Sequence, residues 1–182
     1  MVFLVYSFAL IIRDKDDPNI NLYDFDLKEH YMILIEWNSN PLQSIYGSYL
    51  HSALFGTEHA ISINGKGGFR EEPNLNVPLE TYHVKKGFRY RFRIINSAIQ
   101  NCIMHLSIDE HNMTLIATDG QPIVPIEIES LEILSGERYD FVLNANKNPS
   151  DYWIKVQGKG SCEYNKLFQR AILRYDRYEK MD

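Results

Sequence analysis

Between Phe88 and Ile94, apolar and basic residues alternate without a break: Phe88-Arg89-Tyr90-Arg91-Phe92-Arg93-Ile94. A strand puts every second side chain on the same face, so this stretch predicts one face in the core and one in solvent. The period of two returns further along. Cys102, Met104, Leu106 and Ile108 oppose His105, Ser107 and Asp109, and Ile126 and Ile128 oppose Glu127 and Glu129. Tyr139, Phe141 and Leu143 oppose Arg138, Asp140 and Val142, and Tyr152, Ile154 and Val156 oppose Trp153, Lys155 and Gln157. Turn-forming groups separate these runs at Lys85-Lys86-Gly87, Asp109-Glu110-His111-Asn112, Asp119-Gly120, Ser135-Gly136 and Asn148-Pro149. Short strands at nearly regular spacing, with no long helical segment, predict an all-β Greek-key sandwich.

The amino-terminal third is less regular. Phe8 to Arg13 reads as a terminal strand, Asp14 to Asn21 as a polar linker, Tyr31 to Trp37 as a buried strand and Asn38 to Gly56 as a long surface loop. Ile99 to Asn101 reads as a tight connection and Asn165 to Gln169 as a single helical turn. The apolar run Val2 to Ile12 has no basic residue before it and no small-residue cleavage site after it. It is also too short to span a bilayer. Either the chain is intracellular or its leader lies outside this sequence.

A chain of 182 residues suits one domain and buries roughly 70% of its unfolded surface without metal or disulfide support. A net charge of −5 with both signs interspersed argues against a nucleic-acid partner. Cys102 and Cys162 leave three options: a mutual disulfide, pairing with a missing domain, or free thiols. Asn112-Met113-Thr114 is a glycosylation sequon, meaningful only in a secreted chain and simplest as a chance match.

No residue pattern supports catalysis or a metal. The six histidines form no His-x-His pair, and Cys102 and His105 face opposite sides of a strand, so they cannot share one copper ion. No zinc spacing exists. Asp14-x-Asp16 fails as a calcium loop, because Pro18 and Asn19 occupy its next two critical positions. Asp109, Glu110 and His111 could act as a general base, but a polar turn explains them more simply. The Asn64-Gly65-Lys66-Gly67-Gly68 run lacks phosphate-loop spacing and reads as a hairpin turn. Arg89, Arg91 and Arg93 read as a solvated strand face with Asp and Glu partners on neighbouring strands. Tyr139 follows a turn and enters a strand, the setting of a tyrosine corner whose hydroxyl bonds back to backbone. Tyr139, Asp119, Gly120 and Cys102 are therefore candidate structural residues. Catalytic, cofactor and metal ligands are expected to be absent.

Together these segments resemble a known family. Leu22 to His30, Ile61 to Gly67, Phe92-Arg93-Ile94-Ile95-Asn96, His111 to Gly120, Gly136 to Phe141 and Ala171 to Tyr175 stand in its order. The chain resembles the second cupredoxin domain of laccase-like multicopper oxidases, most closely the insect type. The resemblance implies a cupredoxin-like Greek-key β-sandwich over residues 22–176. Residues 1–21 would be the end of a preceding cupredoxin domain plus linker, and residues 177–182 a tail. It implies a parent enzyme in which domains one and three carry the copper ligands and flank this one. The middle domain then spaces them and walls the substrate pocket, with no activity in isolation. The parent reaction would be copper-dependent oxidation of diphenols, or of ferrous iron, coupled to dioxygen reduction. The family also implies an extracellular or cell-surface location. In some members the position of Cys102 is disulfide-bonded to domain one. Others follow it with an acidic substrate-binding residue, where this chain has Ile103. A stand-alone binding or regulatory sandwich is the alternative from another class.

Overall fold

The structure, a computed structural model, describes residues 8–38, 59–67, 77–98, 102–160, 163 and 166–176. The strands are β1 (Tyr31–Asn38), β2 (His59–Ile63), β3 (Thr81–Val84), β4 (Arg89–Asn96), β5 (Cys102–Ile108) and β6 (Met113–Thr118). They continue as β7 (Gln121–Ile128), β8 (Ser130–Ile133), β9 (Arg138–Asn144), β10 (Asp151–Gly160) and β11 (Phe168–Tyr175). One sheet runs β2-β1-β4-β9-β6-β7 and the other β3-β11-β10-β5-β8. Both are mixed, because β1 lies parallel to β4 and β3 parallel to β11. The chain passes from one sheet to the other after β2, β3, β4, β5, β7, β8 and β9, the Greek-key pattern expected of this sandwich.

The alternation does what it predicts on the inner faces. Phe92 and Phe141 are register partners on β4 and β9, fully buried and stacked at 5.5 Å. Met104, Leu106, Ile154, Val156 and Leu173 fill the core from the opposite sheet with no exposure. Each such side chain contributes about 1.5–3 kcal/mol by leaving water.

Two tight turns set the register. Asp119 (φ 48°) and Gly120 (φ 81°) form the two-residue loop between Thr118 and Gln121, both in the left-handed region that such hairpin turns require. Asp119 Oδ1 also accepts from Arg138 N–H at 3.0 Å, tying this turn to β9. Asn64 (φ 53°) and Gly65 (φ 75°) make the equivalent turn between Ile63 and Lys66. Asn64 Oδ1 accepts from Ile33 N–H at 2.8 Å, and its Nδ2 donates to Tyr31 O at 2.9 Å, which anchors β1.

Four expectations change. Phe8 to Arg13 is not a strand: no ladder partner pairs with it among the described residues, and Phe8, Leu10 and Ile12 are more than 80% exposed. The run Phe8 to Ile12 is apolar, but a strand needs a neighbour to satisfy its backbone. The arginine face of β4 is solvated at one end alone, because residues 13–26 cross it: the Arg89 side chain is 40% exposed, while those of Arg91 and Arg93 are largely shielded. β7 is an edge strand that leaves Val124 81% and Ile126 53% exposed, so its period of two marks an edge rather than a filled core position. The loop expected over residues 38–56 lies, beyond Asn38, outside the described residues, as does the connection at residues 99–101. The single helical turn expected from Asn165 to Gln169 does not form over the described residues 166–169, because Lys166 takes a left-handed turn at φ 49° and Phe168 and Gln169 already pair in β11.

Candidate functional site

The most concentrated chemistry lies on the outer face of β4. Arg93 holds Asp26 through both terminal nitrogens, Nη1 to Oδ1 at 2.5 Å and Nη2 to Oδ2 at 2.8 Å. Arg91 Nη1 meets Asp17 Oδ2 at 2.6 Å, and Arg91 Nε donates to Asp140 Oδ2 at 2.9 Å. Arg89 grips Asp24, with Nη2 to Oδ1 at 2.7 Å. Asp140 is the expected cross-strand partner, since it faces Arg93 in the β4–β9 register. Asp17, Asp24 and Asp26 come instead from the amino-terminal segment, which forms a strap across the sheet.

The strap ends in an apolar plug. Tyr23 packs with Ile116 and Val142 beneath it, and its hydroxyl donates to Asp17 Oδ2 at 2.7 Å. Burial opposes the charge on Asp17 and Asp26. Bonds from Asn19 N–H, Tyr23 and Arg91 outweigh it at Asp17, and the Arg93 bonds and charge outweigh it at Asp26, so both carboxyls titrate below the usual carboxylate range. Such doubly bonded arginine–carboxylate pairs fix geometry as well as charge.

The histidines are committed elsewhere. Lys147 N–H donates to the Tyr175 hydroxyl oxygen at 3.3 Å, which directs the hydroxyl proton to His111 Nε2 at 2.6 Å. His111 Nδ1–H then donates to Asp109 O at 2.6 Å, leaving the ring neutral. Burial lowers the His111 pKa and raises that of Tyr175 to about 12. Asp109 spends its carboxylate on Lys155 Nζ at 2.5 Å. Both ring nitrogens of His111 are thus engaged in holding a structural turn. His30 is 1% exposed and stacks on Phe92 at 4.4 Å, its Nε2–H reaching His83 O at 3.1 Å, and burial lowers its pKa. His83 Nδ1 lies 2.7 Å from Asp176 Oδ1.

Copper needs converging soft or imidazole donors. No three His, Cys, Asp or Glu among the described residues converge to hold a metal ion. Met104 and His105 project to opposite faces of β5, one fully buried and one half-exposed. The described donors therefore do not fit a copper site. Cys102 opens β5 opposite Gly160, while its thiol, Cys162, His51 and the side chain of His59 lie outside the described residues.

Tyr139 departs from the corner expected of it. Its half-buried hydroxyl meets Glu137 Oε2 at 3.3 Å, a carboxylate rather than an upstream backbone group. The tyrosines that do tie backbone are Tyr82, donating to Tyr31 O at 2.9 Å, and Tyr90, accepting from Lys85 N–H at 2.8 Å. Burial raises the Tyr82 pKa well above the usual phenol range.

A family model described as multicopper oxidase matches residues 23–178, nearly the whole sandwich. The chain belongs to the multicopper oxidase family. It is 33% identical to Laccase-5 of Trametes villosa over 174 residues, covering 95% of this chain and 32% of that one. The crystal structure of the laccase from Botrytis aclada superposes with a TM-score of 0.71 at 28% identity, covering 88% of this chain and 30% of that one. Fet3p, a multicopper oxidase that functions in iron import, gives the same TM-score at 18% identity over 94% of this chain and 31% of its own, a likeness of fold alone. This multicopper oxidase domain is laccase-like and cupredoxin-like, and it spans about a third of the length of the laccases it matches.

The strap was the feature missed in the sequence. Its signal was present: three aspartates at positions 17, 24 and 26 answer three arginines at 89, 91 and 93. His111 and Tyr175 met only through the fold, since no spacing rule links a turn to the last strand.

Proposed function

We propose that this chain is the middle, copper-free cupredoxin domain of a laccase-like multicopper oxidase. It would hold the two copper-bearing domains apart and wall the substrate pocket, with no oxidation of its own. One observation carries the reading: a two-sheet sandwich matching the multicopper oxidase family over residues 23–178, in a chain that spans only about a third of each laccase. Residues 1–21 would then close the preceding domain and cross to this one, with the strap fixing the angle of entry. The exposed Phe8, Leu10 and Ile12, with Val124 and Ile126 on the edge strand, suit surfaces covered by neighbours. A stand-alone binding module would carry polar residues there, so the middle-domain reading is preferred.

Diphenols are the proposed parent substrates, because the relatives above 30% identity are laccases. Ferrous iron has only a likeness of fold behind it. An extracellular location follows from the same reading. The relatives named above are fungal, and nothing favours an insect type over them.

Chimeras of the Trametes villosa laccase test the position. Residues 23–178 would replace the first, middle or last third in turn. The middle replacement is expected to load copper and oxidise a diphenol, and the others to fail. Activity in a first- or last-third replacement, with a copper-free middle chimera, would overturn the proposal.

A further inference from the structure

We propose that Asn112 is an N-glycosylation site, accepting an oligosaccharide when the chain passes through a eukaryotic secretory pathway. This rests on the extracellular reading above. Asn112-Met113-Thr114 satisfies the acceptor pattern, whereas Asn148-Pro149-Ser150 is barred by its central proline.

The fold presents this sequon well. His111 and Met113, on either side of Asn112, are 4% and 0% exposed. Neighbouring side chains on extended backbone point to opposite faces, so two inward anchors drive Asn112 outward, where it is exposed. Thr114, two residues on, shares that face and stays partly exposed. Glu110, at φ 60°, turns the chain just before this point, so Asn112 stands where a surface loop meets β6. Its amide is lightly committed: Nδ2 donates to Glu127 Oε1 on β7 at 2.7 Å, an exposed bond. Nδ2 carries two hydrogens, so one can be replaced while the other keeps Glu127.

In the transfer, Nδ2 attacks the anomeric carbon of a lipid-linked pyrophosphoryl oligosaccharide. The new bond is Nδ2–C1. The C1–oxygen bond to the pyrophosphate breaks with its electron pair leaving on that oxygen, and Nδ2 loses one proton to the transferase. No redox change is involved.

Two structural consequences follow. A glycan at Asn112 stands beside β7, whose outer edge has no strand partner among the described residues, and so blocks edge-to-edge association. It also marks the Asn112–Thr114–Glu127 face as solvent-facing in the whole protein, directing neighbouring domains to other surfaces.

The test is the full chain behind a cleavable secretion leader, made in a eukaryotic host and by translation with microsomes. The microsomes give a reading even when little protein is secreted, because transfer precedes folding. A mobility shift removed by peptide-N-glycosidase is expected, with residue 112 recovered as aspartate in the peptide map. Asn112→Gln and Thr114→Ala should abolish the shift, Thr114→Ser should keep it, and Asn148→Gln should change nothing. An unmodified Asn112 in translocated chain, or a shift that survives Asn112→Gln, would overturn the proposal. Neither result touches the domain position, which the laccase chimeras read separately.

Discussion

At Tyr175 the hydroxyl accepts from Lys147 N–H and donates to His111, so its removal strands a buried imidazole lone pair and a backbone N–H. Leaving buried groups unsatisfied costs on the order of 1–3 kcal/mol. Tyr175→Phe is expected to lose that much in urea unfolding, while Tyr139→Phe loses under about 1 kcal/mol, because its 3.3 Å bond is only half-buried. Equal losses would contradict the assignment. Titration at the same scale has a definite sign. Burial lowers the pKa of His111 and His30 in the folded chain, while an unfolded imidazole titrates near about 6.5. Below that pH the unfolded chain binds protons the folded one refuses, so stability falls as pH drops through about 6.5 and levels off beneath the folded values. Urea midpoints should therefore decline between pH 8 and pH 5, and a flat profile would contradict this environment for the two rings. These residue roles were hard to read in the sequence. Tyr139 has the local setting of a corner and Tyr175 has none, yet the buried network belongs to Tyr175, because only the fold brings β11 beside the turn after β5.

The strap is the element whose energetics differ most from expectation. Alternation in β4 correctly assigned each residue to a face, but it cannot say what covers a face. Arg93 is 8% exposed because Asp26 and the chain around it lie on top. Cross-strand partnership at Asp140 was legible, since neighbouring strands of a sandwich place opposite charges together. The strap was not, since its aspartates lie in a segment that reads as linker. Asp140→Asn removes the shared carboxylate between Arg91 and Arg93, which are both largely shielded. Breaking one partner of such a cluster is expected to cost on the order of 3 kcal/mol, read by thermal or urea unfolding. An unchanged midpoint would contradict the role of Asp140 as the carboxylate shared by Arg91 and Arg93. Acid should act on the same element. Asp17 and Asp26 have folded pKa values below the unfolded value of about 3.9. Their contribution is full above pH 4 and is lost as pH falls through the folded values, and proteolysis within residues 14–26 should report the release.

Over the whole molecule, the two-sheet architecture was legible and the course of the amino-terminal segment was less so. β3, β5, β8 and β11 and most of β10 follow the period of two, because the inner face must be apolar to close the sandwich, while β6 and β9 bury three residues in a row and β7 is mostly exposed. Phe8 to Arg13 is an apolar run without that period and with no ladder partner among the described residues, so apolar character alone assigned it a strand. The exposed side chains there and on β7 are where neighbours would matter, and they make the isolated domain prone to association. The account as a whole turns on whether this domain, of an oxidase family, holds any copper itself. The direct measurement is copper content and visible absorption of the purified full chain after copper loading. Substoichiometric copper without a blue band is expected. One tightly held copper per chain with intense blue absorption would contradict it and require a thiolate ligand from Cys102 or Cys162.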